Sequence, residues 1–166
     1  MRSLPLAIAA SLALVSVSTS LQGQRAAAPV DPRSMQLVAQ GRAAFAAGNL
    51  DAAADALETA LAVDPRNRAA FVALADVAEA RGLPGKAIRL YREALSLEPN
   101  DVAALRGQGE ALVAKGAVNR ARENLARIRT LCKTGCADAN QLAAVIAKGP
   151  PITTAQATPP AQPVRE

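Results

Sequence analysis

The chain has no histidine and no tryptophan, and only one tyrosine and two phenylalanines in 166 residues. Without an imidazole there is no Ser-His-Asp or Cys-His pair, no histidine metal ligand and no axial haem histidine. Two cysteines are too few for a four-thiolate zinc or iron–sulfur site within one chain. Aromatics at 2% leave almost nothing to stack bases on, which speaks against nucleic acid as a partner despite a net charge of +5. No GxxxxGKS or GxxxxGKT phosphate loop occurs. Gly107-Gln108-Gly109 lacks a third glycine and a preceding strand pattern, so it reads as a packing feature. Runs of β-branched residues are scarce as well, which disfavours sheet. What is abundant is alanine: 41 residues, about half of the hydrophobic 51%, a composition that favours helices.

The N-terminus follows a different logic from the rest. Met1 and Arg2 supply a basic start, Leu4 to Val17 are uncharged and mostly apolar, and the small residues Ser18, Thr19 and Ser20 follow. This is the pattern of a secretory signal peptide, expected over residues 1–28 with cleavage between 18 and 28. The apolar run is about 14 residues against the roughly 20 of a spanning helix, which favours a cleaved signal over a retained anchor. No cysteine stands nearby to carry a lipid. The expectation is an exported protein, periplasmic or secreted, without stable membrane insertion after cleavage. In an oxidising compartment Cys132 and Cys136 are expected to pair as a disulfide. Free regulatory thiols, an intermolecular bridge or a shared metal site stand as alternatives; the three-residue spacing is not that of a thioredoxin-type motif.

From residue 31 the chain repeats itself. Gly48, Gly82 and Gly116 stand 34 residues apart, as do Gly41, Ala75 and Gly109, and Ala53, Ala87 and Ala121. Leu57, Tyr91 and Leu125 keep the same step with a large side chain, and Asp64-Pro65 and Glu98-Pro99 keep it with an acidic residue before proline. Each unit reads as two helices joined at its glycine. Asp31 and Asp101 are suitable N-caps, Pro32 suits a first turn, and the turn glycines suit the position just past a helix end. Second helices carry Leu50, Ala53, Leu57 and Leu61, then Ala87, Leu90, Tyr91 and Leu95, then Ala121, Leu125, Ile128 and Leu131, the first two stopping before proline. Units are expected at about 34–67, 68–101 and 102–131.

These features, the small residue in each first helix, the turn glycine, the early alanine of each second helix and the closing acidic-proline pair, resemble the tetratricopeptide repeat over residues 34–131. The resemblance implies an all-α fold, a right-handed solenoid of three stacked helical hairpins, non-enzymatic, that acts by binding other proteins along its inner surface. The chain departs from the motif in its thinner side chains: Leu37, Phe71 and Leu105 stand near the start of the first helices, and Ala44, Ala78 and Leu112 where a tyrosine is usual. Residues 138–148 are expected to form a capping helix, with Asp138 and Gln141 as a capping box and Leu142, Val145 and Ile146 as its apolar stripe. The Pro-, Ala- and Thr-rich residues 149–166 are expected to be a disordered tail.

Carried onto this chain, the groove positions implied by the resemblance are Val38, Arg42 and Phe45, then Val72, Asp76 and Glu79, then Arg106, Glu110 and Val113, with Phe45 standing equally as a core residue. The Asn and Lys/Arg pairs with which some members clamp a peptide carboxylate are replaced here by Val38, Arg42, Ala73, Ala103 and Gly107, which implies a different specificity. No cofactor is implied. Charge is uneven: residues 34–67 carry a net −2, residues 68–101 a net 0, and residues 102–148 a net +5, with Arg120, Arg122, Arg127, Arg129 and Lys133 near the end. That basic end is either a solvated surface or a docking face for an acidic partner or a membrane. The expectation is an adaptor or assembly factor of the cell envelope that binds a peptide or helix; a structural subunit of an envelope complex and a redox accessory using Cys132 and Cys136 are the alternatives.

Overall fold

A computed structural model of the chain describes residues 29–132 and 135–151. The signal segment expected at 1–28, all but the first three residues of the expected tail, and Lys133 lie outside the described residues. The described chain is entirely helical: α1 (Pro32–Ala46), α2 (Leu50–Val63), α3 (Arg68–Ala80), α4 (Pro84–Leu97), α5 (Val102–Ala114), α6 (Val118–Leu131) and α7 (Ala137–Lys148).

Local chemistry sets most of these limits. Asp31, Asn49, Asn67 and Asp101 each accept a backbone N–H of the following first turn, from Arg33, Ala52, Ala70 and Ala104, satisfying donors that a helix start leaves open. Gly48, Gly82 and Gly116 adopt φ of 77°, 70° and 77°, the left-handed conformation that closes each hairpin and that a Cβ disfavours. Helices α2 and α4 stop two residues short of Pro65 and Pro99, because the residue before a proline is pushed out of the helical region.

The hairpins α1/α2, α3/α4 and α5/α6 stack in chain order, and α7 lies across α5 and α6. First helices touch one another across units, α1 with α3 and α3 with α5, whereas among the described residues α2 and α4, and α4 and α6, do not meet. The array therefore closes on the side of α1, α3 and α5 and opens on the other, which makes the first-helix side its inner face.

The core is thin and built for close approach. Thirteen of the 24 buried apolar residues are alanine, so the helices come together over methyl groups, and a few larger side chains fill what remains. Leu57 seats on Gly41, Tyr91 on Gly107 of the next unit, and Leu142 of α7 on Gly109; a Cβ on these glycines would fall 2.6, 2.3 and 2.7 Å from the side chain concerned. Gly107 and Gly109 are thus contact surfaces for neighbouring units, as their register within a helix predicts.

Polar ties run between units at the edge where α1, α3 and α5 begin. The Ser34 hydroxyl donates to the Ala60 carbonyl at 2.8 Å and accepts from Asn67 Nδ2 at 2.7 Å, entirely out of solvent. Asp64 accepts the backbone N–H groups of Asp31 and Arg66, which holds its carboxyl below the usual carboxylate range. Arg68 pairs with Asp101 across the next boundary. At the last boundary the structure corrects the expected capping box. α7 begins at Ala137 with Cys136 as an N-cap whose side chain accepts no backbone N–H, and Asp138 turns instead to accept from Arg106 Nε at 2.8 Å. A charge-assisted bond to a half-buried guanidinium outweighs a solvated capping contact.

Candidate functional site: the inner face of α1, α3 and α5

Along α1 the inner face is apolar and incomplete. Met35 is 53% exposed, the most exposed large apolar side chain among the described residues, and lies between two concavities. One, of about 220 Å³, is lined by Met35, Val38, Ala39, Arg42, Asn67 and Ala69. The other, of about 340 Å³, shares Met35, Asn67 and Ala69 and extends to Val30, Leu97 and Glu98. Met35 escaped the groove positions set out above, although Met35, Val38, Ala39 and Arg42 stand at i, i+3, i+4 and i+7 on one helical face, a spacing that could have found it.

Further along the face the character changes. Asp76 and Glu79 of α3 stand one turn apart, and Tyr91 of α4, whose ring is buried under Gly107, presents its hydroxyl to both. That hydroxyl is 2.5 Å from Asp76 Oδ1 and 2.9 Å from Glu79 Oε2, so one proton serves two carboxylates. On α5, Arg106 bonds Glu110 through Nη1 at 3.1 and 3.2 Å while its Nε reaches Asp138 of α7.

The titration behaviour follows from this crowding. Burial pushes the Glu79 carboxyl up to about 7, assisted by the charges of Glu110 and Asp76 and opposed by the Tyr91 hydrogen bond and Arg106. Burial also raises Asp76, against the Tyr91 hydroxyl and the positive charges of Arg106 and Arg42. Tyr91 is held far above a free phenol, first by burial and then by the two carboxylates it faces. Burial pulls Arg106 down, yet Glu110 and Asp138 more than offset it and keep the guanidinium charged. Near neutral pH Glu79 can therefore either donate or accept.

Of the nine groove positions, the structure brings Asp76, Glu79, Arg106 and Glu110 into one polar cluster, places Arg42 exposed within electrostatic reach of Asp76, and leaves Val72 half-buried. Phe45 is half-buried against the first core cluster. Val38 is 5% exposed and serves as a cavity wall continuous with the core. Val113 is 2% exposed and offers a partner nothing: it packs with Leu112 and Ala121, and Val145 and Ile146 of α7 close over that cluster. The capping helix therefore ends the accessible strip before Val113. Tyr91 and Asp138 join the site from helices outside the groove pattern, which the 34-residue period alone does not reveal.

Cys132 and Cys136 face each other across the α6–α7 connection with Cα atoms 5.7 Å apart, a separation that a disulfide spans.

Comparison with known proteins bears on the fold. The chain is similar to the TPR domain of Sgt2 from Aspergillus fumigatus (25% identity, TM-score 0.65, covering 82% of this chain and 91% of that one). It is also similar to the TPR2B domain of yeast Sti1, solved in a complex with an Hsp70 species (19% identity, TM-score 0.66, 71% of this chain and 98% of that one). A third similar structure is the first TPR of Spaghetti (RPAP3), solved with the HSP90 peptide SRMEEVD (20% identity, TM-score 0.64, 70% of this chain and 92% of that one). No curated protein matches the sequence. The family profile described as tetratricopeptide repeat matches residues 38–95 and 72–134, together more than half of the chain, and the three glycine-closed hairpins with their shared inner face are its expected product. The chain belongs to the tetratricopeptide repeat family.

Proposed function

We propose that the protein is a non-enzymatic interaction module, an adaptor or assembly factor of the cell envelope, that seats a peptide or partner helix along its inner face. The observation that carries this reading is Met35: a flexible apolar side chain more than half exposed between two concavities, continuous with a strip of charged groups along α3 and α5. Exposed methionine is adaptable apolar surface, and a mixed strip of this kind suits a ligand with both apolar and polar side chains. Similar domains solved with an HSP90 peptide and in an Hsp70 complex lend the reading support at the level of the fold.

In this reading residues 1–28 direct export, and Cys132 and Cys136 close as a disulfide that fixes α7 against α6. The Cα separation of 5.7 Å is compatible with that bond. N-terminal sequencing of the mature protein would then begin between residues 18 and 28, and thiol counting under denaturing conditions would find none free. The groove itself is tested in cells with a photo-crosslinking amino acid placed at Met35 or, on the opposite side, at Thr59 of α2. A discrete adduct from position 35 that is absent from position 59 is the expected result. The same adducts from both positions, or none from position 35, would refute the groove.

A further inference from the structure

The outer side of α6 is strongly basic and plays no part in the groove. Arg120, Arg122, Arg127 and Arg129 are all exposed, none of them enters an ion pair with another described residue, and Glu123 is the single acidic residue of the helix. The Arg122 guanidinium donates to Asn119 Oδ1 at 2.9 Å, a neutral contact that leaves the charge uncompensated.

We infer that this face is a peripheral docking surface for the anionic phosphate headgroups of a lipid bilayer. The geometry of the helix carries the inference. Ala121, Leu125 and Ile128 are its buried stripe, so the opposite crest is formed by Asn119, Glu123, Ala126 and Thr130, all exposed. At 100° per residue Arg120 and Arg127 fall along one flank of that crest and Arg122 and Arg129 along the other, each pair about 10 Å apart along the axis. A plane resting on the crest is thus within reach of all four guanidinium groups, whose long stems can swing toward it. A narrow acidic peptide would follow one flank and miss the other. The crest carries no large apolar side chain, so it rests at the headgroups without entering the hydrocarbon, and the four guanidinium groups outnumber the one carboxylate on it, Glu123. Arginine suits this task because its planar fork bonds two phosphate oxygens at once.

This face lies on the far side of the array from Met35 and the inner groove, so both surfaces can be occupied together and each reading fails or survives independently. The test is co-sedimentation of the full chain with vesicles of neutral phosphatidylcholine alone or with about 30% phosphatidylglycerol. Residues 1–28 are common to every variant compared, so the informative quantities are the ratio between the two vesicle types and its change on substitution. The wild type should partition about tenfold or more in favour of the anionic vesicles, and about 0.5 M salt should abolish the preference. Changing the four arginines together (Arg120→Gln, Arg122→Gln, Arg127→Gln and Arg129→Gln) should remove the preference with the helical circular dichroism unchanged. The fourfold lysine set should keep most of it. Equal partition of the wild type into both vesicle types, or an unaltered preference in a folded glutamine variant, would overturn the inference. So would binding to polyglutamate or duplex DNA with no vesicle preference, which would assign the face to an acidic protein or a nucleic acid.

Discussion

Glu79 makes the stability of this protein fall as the medium turns from mildly acidic to neutral, the reverse of what a salt-bridged carboxylate does. Its carboxyl titrates near 7 in the folded chain against 4.5 when solvated, with burial as the main cause. Between those values the folded protein holds a proton that the unfolded chain has released, so raising the pH through that window favours unfolding. At about 1.4 kcal/mol per unit the full shift would correspond to roughly 3 kcal/mol. Glu79 is only half-buried, and solvent screening reduces the expected effect to about 1–2 kcal/mol. For a domain of this size that is on the order of 5 °C in melting temperature. Asp76 is shifted in the same direction, so its contribution carries the same sign. Asp64, shifted downward, contributes stability that is lost only below the ordinary 3.8, outside the window. The chain has no histidine, so little else titrates between pH 5 and 7 to obscure the result. Thermal unfolding followed by circular dichroism should therefore show a wild-type melting temperature that falls from pH 5 to 7.5, and a Glu79→Gln variant in which most of that fall is gone. Parallel pH profiles for the two proteins, or a wild type that gains stability over the interval, would refute the reasoning.

Tyr91→Phe keeps the ring under Gly107 but removes the hydroxyl that bonds both Asp76 and Glu79; it should cost about 1.5–3 kcal/mol at neutral pH by denaturant titration, and less near pH 5, where Glu79 carries its own proton. Gly107→Ala improves helix propensity by about 1 kcal/mol, yet its Cβ would fall 2.3 Å from a tyrosine ring pinned by two hydrogen bonds. The net result should be destabilisation by about 1–2 kcal/mol, measured as a lower unfolding midpoint with unchanged slope. Ser34→Ala leaves Asn67 Nδ2 without its buried acceptor and should cost about 1–3 kcal/mol, with hydrogen exchange rising first at the α1–α3 boundary.

Most of the architecture is written along the chain because it depends on neighbours in sequence. A glycine every 34 residues closes a hairpin wherever it occurs, Asp31 and Asp101 cap the turn that follows them, and a proline stops the helix before it; each of these acts over one or two turns. The polar groove positions Asp76, Glu79, Arg106 and Glu110 came from the resemblance to the tetratricopeptide repeat, and their spacing of three and four residues agrees with it by putting each pair on one helical face. What the period could not supply is the rotation and offset between successive hairpins. That geometry sends Tyr91 beneath Gly107 of the following unit, turns Asp138 toward Arg106 and away from its own helix start, and lets α7 cover Val113 while Met35 stays bare. Helical periodicity assigns a residue to a side of its own cylinder. Which cylinder lies against that side is decided only when alanine-lined surfaces settle into contact, and that packing turned five charged side chains and one tyrosine into a shared site.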